Sequence, residues 1–484
     1  MVARPDNYPQ EPAQLWEHFF QISQIPRPSG EEAALRDHII DLANSCACPS
    51  RIDTAGNLLV SVPGSVGREL EGSVIVQNHL DMVTVKTADS DHDFSADPLS
   101  LQVVDGWLSA DRTTLGADNG LGCAAALALM TDSTVSHPPL ELLFTVEEET
   151  GLYGATDLDP DLLQGERMLN LDTEDWGELF VGCAGGQGWI LRRGLQRAAG
   201  TEGAEYWRLT LRGLAGGHSG IQIHQQLGNA IKLLGQWLVE ARPLGVRLVS
   251  LEGGVAHNVI PREASLVFSC ASGEQAALES LNERLQCEWG SYLPAADAQL
   301  ALSLEPASAA QPLAQEEQRL LEQVLLLFPH GARNYNAEQP ADLVDLSINL
   351  AILRVQGDEF YLETTLRYFN AVQARALANE VLAIAQWLQA EVEETINYPG
   401  WEPDFSNPLL KLSTATYSEL FGGKPAIKAI HAGLECGILK SKRPSIDVVS
   451  FGPTIRGAHS PSERLEIQTV TPFWQLLTAL LQRI

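Results

Sequence analysis

Apolar residues recur along this chain in two different rhythms. Up to about residue 190, NLLVSVP, SVIVQ, LELLFTV and MLNL place them on consecutive positions, as in short strands covered on both faces. LWEHFFQISQI carries them at helical spacing, and GCAAALALM reads as a helix buried on most sides. Ser29 and Glu32 in PSGEEAALRDHIIDLA read as a capping box that opens a further helix. Strands alternating with helices predict an α/β layer.

Beyond residue 190 the strands alternate cleanly between apolar and polar positions, and the helices are longer and amphipathic. EYWRLTLRGL, NAIKLLGQWLVEA, ASLVFSC and EQAALESLNERLQ give β, α, β and α in turn. A second such set follows, with a hairpin turning at Gln356-Gly357-Asp358 and a helix through ARALANEVLAIAQWLQA. This predicts an α+β insert built from two similar halves. The tail returns to the first style with NPLLKLSTATYSELF, DVVSFGP and TPFWQLLTALLQRI. A chain of 484 residues exceeds one hydrophobic core. We therefore expect a catalytic domain in two segments, 1–190 and 396–484, interrupted by an inserted domain, 191–395.

Composition narrows the function. Hydrophobic residues at 45% and charged residues at 19% exclude a disordered chain. A formal charge of −30 without any long basic stripe excludes nucleic acid and anionic membrane surfaces as partners. MVARPDNYPQ lacks an apolar signal core, and no stretch holds the roughly 18 apolar residues that a membrane span needs. The seven cysteines are odd in number and scattered, so the expected compartment is the cytoplasm. Cys46 and Cys48 lack a matching second pair, which argues against a zinc ribbon.

The candidate chemistry lies in four motifs, each just past a predicted apolar strand: QNHLDM with His79 and Asp81, GADNG with Asp118, VEEETG with Glu148 and Glu149, and NLDTE with Asp172. In an open α/β sheet, ligands bind beyond the carboxyl ends of the strands. Imidazole and carboxylates without cysteine suit zinc or a harder divalent ion in a catalytic site. Each motif alone has a plainer reading: a turn histidine, a glycine-rich helix cap, a solvated acidic loop. Their order and their common position after strands point to one site.

HLDM, GADNG, EE-x-G, LDT, GGHSG and GAHSP, in this order, resemble the di-zinc aminopeptidase-like family of aminoacylases, carnosinases and bacterial dipeptidases. TTLGADNG, GCAGG, LRGLAGGHSG, HNVIPREA, YPGW and HAGLECG are similar to its Xaa-His dipeptidase branch, over nearly the whole chain. The resemblance implies a zinc-peptidase-like mixed sheet flanked by helices, with an inserted α+β lid domain. It implies two divalent ions, zinc first, with cobalt or manganese as alternatives. His79 and Asp172 would hold one ion, Glu149 and His459 the other, and Asp118 would bridge them. Thr150-Gly151 sets the register that makes Glu148 the general base, although strand-like alternation would instead turn Glu147 and Glu149 to one side. Asp81 would accept from the second nitrogen of His79. A cis peptide is implied after Asp118.

By the same resemblance, His218 stabilises the oxyanion, from its own chain or from a neighbouring subunit. Asn258, Arg367 and Glu435 match substrate-contacting positions. Arg367 would pair with a substrate carboxylate, and its other reading is a strand-face salt bridge. Ser462 stands in HSPSE where relatives commonly have HSPDE, a departure expected to tune activity. The implied reaction is hydrolysis of unblocked dipeptides, preferring Xaa-His such as β-Ala-His, by a hydroxide activated by the two ions. The alternatives are an N-acyl-amino-acid deacylase and a catalytically inert binding protein of this fold. The insert would either form a homodimer or supply internally what a partner subunit would give.

Overall fold

Four of the apolar runs form adjacent or near-adjacent strands of one sheet, Leu58–Val62, Leu140–Thr145, Val74–His79 and Arg167–Asn170, buried at nearly every position. The computed structural model describes residues 2–336 and 343–484. The chain divides into two units, one of Met1–Cys183, Trp401–Ala429 and Leu434–Ile484, the other of Ala184–Gly400 and Ile430–Gly433. The short excursion at 430–433 has no counterpart in the sequence pattern.

The first unit is built on a mixed eight-stranded sheet. Val74–His79 pairs in parallel with both Leu140–Thr145 and Arg167–Asn170, and Asp447–Ser450 pairs in parallel with Arg167–Asn170. Parallel strands end on the same edge, so His79, Thr145, Asn170 and Ser450 release their following loops on one side of the sheet. Helix Ala117–Thr131 is buried along nearly its whole length. Gly122 permits its close approach, since a Cβ there would lie 2.5 Å from Asn78 Oδ1 and 2.9 Å from the Leu171 carbonyl. A smaller four-stranded sheet, in the order Ile455–Arg456, Arg464–Glu466, Trp107–Ala110 and Leu101–Val104, presents the loop 457–463.

The capping box expected at Ser29 and Glu32 does not form. Glu32 precedes helix Ala33–Ser45 without a side-chain cap bond. Its Oε1 accepts instead from the backbone N–H of Gly30 at 2.9 Å and of Glu147 at 3.0 Å, while Ser29 Oγ donates to Asp81 Oδ2 at 2.8 Å. An exposed helix end can be satisfied by water, whereas the buried Asp81 carboxylate requires partners from the protein.

The second unit is antiparallel at every paired strand of its nine-stranded sheet. One half runs Glu205–Arg212, helix Ala230–Glu240, Arg247–Gly253, Ala264–Cys270, helix Gln275–Gly290 and Ala301–Pro306. The other runs Gly185–Gly194, helix Gln315–Leu327, Val344–Gln356, Glu359–Tyr368, helix Ala371–Leu388 and Glu391–Tyr398, with Gly331–Tyr335 added. Both read βαββαβ, and the first half is inserted between the first strand and the first helix of the second. They join where Arg247–Gly253 pairs with Val344–Gln356. The expected hairpin is present, with Gly357 at φ 56°. Trp237, Phe268, Phe328 and Phe360 lie in its single large apolar core.

Candidate metal centre and active site

Each side chain of the site is delivered by a strand end or by a short turn braced from below. His79 is the last residue of its strand and is 1% exposed; its Nε2 lies 3.1 Å from Asp118 Oδ1 and 3.3 Å from Asp172 Oδ1. Its other nitrogen, Nδ1, lies 3.3 Å from Asp81 Oδ1. Asp118 sits at the start of helix Ala117–Thr131, and the Asp118-Asn119 peptide is cis. Asn119 Nδ2 donates to the Leu171 carbonyl at 3.0 Å and to Asp172 Oδ1, which ties the two acidic loops together.

The glutamate triplet turns sharply after its strand ends at Thr145. Glu147 takes a left-handed backbone conformation with φ 50°, and a single helical turn, Glu148–Gly151, follows. Strand-like alternation therefore does not govern the triplet. The N–H groups of Glu148 and Glu149 donate to Asp81 Oδ1 and Oδ2, both at 3.1 Å. His459, on the loop 457–463 with φ 63°, places Nε2 3.3 Å from Asp118 Oδ2 and 3.1 Å from Glu149 Oε2.

Three groups of side chains thus bring one donor atom each to within 4.8 Å of one another: His79, Asp118 and Asp172; Asp118, Glu149 and His459; and His79, Glu148 and Glu149. Glu149 Oε1 is buried without a hydrogen-bond partner, an orphaned acceptor beside this acidic cluster. A cation supplied from outside the chain suits that donor set.

The sequence profile of Peptidase family M20/M25/M40 matches residues 75–483. The chain belongs to that peptidase family. It is 38% identical over 475 residues to the cytosol non-specific dipeptidase of Escherichia coli strain K12, covering 98% of each chain. Among solved structures it is similar to aminoacylhistidine dipeptidase from Vibrio alginolyticus, with 36% identity, a TM-score of 0.88 and coverage of 98% and 97%. A tripeptidase from Staphylococcus aureus shares the fold at 15% identity and a TM-score of 0.55, with 97% of each chain covered. This M20-type chain is a hydrolase of the metallopeptidase kind, with the mixed sheet and flanking helices of that fold.

The electrostatics of the M20-type site follow from packing acids together away from water. Burial pushes the Glu148 carboxyl well above the usual range; the His79 charge opposes this, and Asp172, Glu149 and Glu435 add to it. Asp172 is raised to about 6 by burial, against the pull of His79. Burial opposes ionisation of Asp118 too, yet bonds from His459 and His79 hold its carboxyl well below the ordinary value. His459 is raised to about 11 by its bonds to Asp118 and Glu149, and Asp81 falls to about 2 because, against burial, His79 bonds to it. The two imidazoles act as the countercharge of the metal-free chain.

Glu435 is fully buried; its Oε2 accepts from Gln77 Nε2 and Thr145 Oγ1, both at 2.6 Å, and its Oε1 has no partner. A direct substrate contact would use that free oxygen. His218, Asn258 and Arg367 belong to the second unit. There His218 pairs with Val259 across a two-residue ribbon, next to Asn258, and its Nδ1 accepts from the N–H groups of Gly220 at 3.2 Å and Ile221 at 3.1 Å. A Cβ at Gly220 would lie 3.1 Å from the His218 ring and 3.2 Å from Arg367 Nε. Arg367 donates to Tyr398 Oη at 3.4 Å, and its Nε is buried without a partner.

Three residues escaped the sequence reading. Glu463 accepts backbone N–H groups from the Asp118 turn, Arg27 donates to carbonyls beneath it, and Glu174, raised to about 8 by burial and then by Asp118, adds a further acid. Glu463 follows His459 by one helical turn's spacing and Glu174 lies two residues past Asp172, so a search near each expected ligand would have found both.

Proposed function

We propose that this peptidase is a metal-dependent dipeptidase of the cytoplasm that hydrolyses unblocked dipeptides, Xaa-His dipeptides such as β-Ala-His among them. The observation that carries this reading is the sharing of Asp118 between two compact groups of donors. His79, Asp118 and Asp172 would hold one divalent ion, and Asp118, Glu149 and His459 the other. Imidazole with carboxylate suits zinc, and also cobalt or manganese. Such ions supply Lewis-acid polarisation of a carbonyl and ease the deprotonation of water.

The chain's own residues supply the rest. Glu148, beside both groups of donors, acts as the carboxylate that takes a proton from the attacking water and passes it to the leaving amine. Asp81 fixes the His79 ring through Nδ1 and holds the turn of Glu148 and Glu149 through its two accepted N–H bonds. His218 would stabilise the oxyanion, Arg367 would take the substrate carboxylate, and Asn258 and Glu435 would orient the peptide. The buried, unpartnered Nε of Arg367 suits a carboxylate. The substrate class rests on two relatives matched over almost their whole length, one named a non-specific dipeptidase and one an aminoacylhistidine dipeptidase.

The test is a panel of β-Ala-His, Gly-His, other unblocked dipeptides and N-acetyl-His, given to the protein before and after chelation. Cleavage of the unblocked dipeptides, lost on chelation and restored by zinc, cobalt or manganese, is expected. Cleavage of N-acetyl-His with the free dipeptides left intact would replace the reading with a deacylase.

A further inference from the structure

We propose that Glu463 and Arg27 are positioning residues that grip the Leu115–Asp118 turn from its two opposite poles and set Asp118 for metal before any ion arrives. This rests on the metal site proposed above.

Glu463 is 2% exposed. Its Oε2 accepts from the N–H groups of Leu115 at 2.7 Å and Gly116 at 2.9 Å, and its Oε1 from those of Ala117 at 2.8 Å and Asp118 at 3.4 Å. Four consecutive donors converge on one carboxylate, and the last belongs to Asp118 itself. Arg27, 2% exposed, holds the other pole. Its guanidinium donates to the Gly116 carbonyl at 2.5 Å, and to the carbonyls of Leu80 at 2.8 Å and Asp81 at 2.6 Å. The Asp118 turn is thereby tied to the segment that follows His79. Glycine makes the approach possible: Gly116 has φ 64°, and a Cβ at Gly120 would lie 2.7 Å from the Arg27 guanidinium.

The physical need is plain. Asp118 must face His79 and His459 at once, while nearby Asp172 and Glu149 repel it. A turn held only by its own backbone would swing Asp118 away from like charge. Charge-assisted bonds to a buried anion on one side and a buried cation on the other resist that swing. Neither residue touches a donor atom of the proposed ligand set, so both act through the backbone.

The experiment compares the full-length protein with Glu463→Gln, an isosteric change that turns an amide N–H₂ toward backbone donors. Zinc binding to the chelated proteins is measured by calorimetry and elemental analysis, alongside kcat and KM. We expect zinc affinity to fall by about 10–100-fold and kcat to fall with it, while KM stays within about two-fold, as for a group that orients ligands. Non-additivity of Glu463→Gln with Asp118→Asn in zinc affinity would show that the two act together. Wild-type affinity in Glu463→Gln, or strict additivity in the double variant, would overturn the proposal. If Glu463→Gln does not fold, residue-resolved hydrogen exchange of the chelated wild type decides: protection of the 115–118 amides supports the grip, and rapid exchange overturns it. A wild-type protein that binds no divalent ion would instead remove the metal-site reading itself.

Discussion

The two halves of the donor cluster share Asp118 but are built differently. His79 and Asp172, 1% and 6% exposed at the side chain, stand at the ends of parallel strands. His459 is 56% exposed, on a loop of the small sheet, although its partner Glu149 is only 5% exposed. One half is therefore made with the hydrophobic core, and its charges cannot turn to water. The other can adjust its histidine without disturbing the sheet. A cation at the first half would answer a demand that folding creates, whereas at the second it would complete a site whose histidine already reaches solvent.

The largest expected effect tests chemistry common to both halves. Glu148→Gln should lower kcat by about 10²–10⁴-fold, with metal content unchanged by elemental analysis; full activity would remove Glu148 from proton transfer. Next comes the contrast itself, read by urea unfolding of chelated variants. His79→Ala leaves buried carboxylates without their countercharge and should cost about 3–5 kcal/mol, whereas His459→Ala, at a ring 56% exposed, should cost less. Equal costs would show that exposure does not distinguish the halves. Asp81→Asn should weaken metal binding by about 10–100-fold, and titration of the chelated protein checks this.

The smallest effect is the pH dependence of the metal-free protein. His459 is raised to about 11 from an ordinary 6.5, so its stabilising contribution is complete below about pH 6.5 and is lost as pH rises toward 11. Glu148, also raised, acts in the same direction, because the folded chain keeps a proton that the unfolded chain releases. Melting temperature after chelation should therefore fall from pH 6.5 to pH 9, and His459→Ala should flatten the fall. A rise over that range would contradict these proton affinities.

Much of this was legible along the chain. Unbroken apolar runs marked the strands of the first unit, because a strand covered on both faces needs no polar position. The hairpin at Gly357 was visible because a left-handed turn favours glycine. Ser29 and Glu32 misled for an equally physical reason. A local spacing rule weighs partners three residues apart, while Glu32 bonds to Glu147 and Ser29 to Asp81 across the fold. The nested order of the halves in the second unit was hidden too, since strand pairing at Arg247–Gly253 and Val344–Gln356 is long-range.

The amino-acid sequence alone marked which side chains could carry chemistry and most of the segments that are strands or helices, because residue type and apolar spacing act locally. Tertiary structure alone decided that Glu463 and Arg27 hold the Asp118 turn and that Glu147 leaves the strand. A buried carboxylate or guanidinium bonds wherever the folded chain brings backbone amides and carbonyls to it, and no spacing along the sequence encodes that meeting.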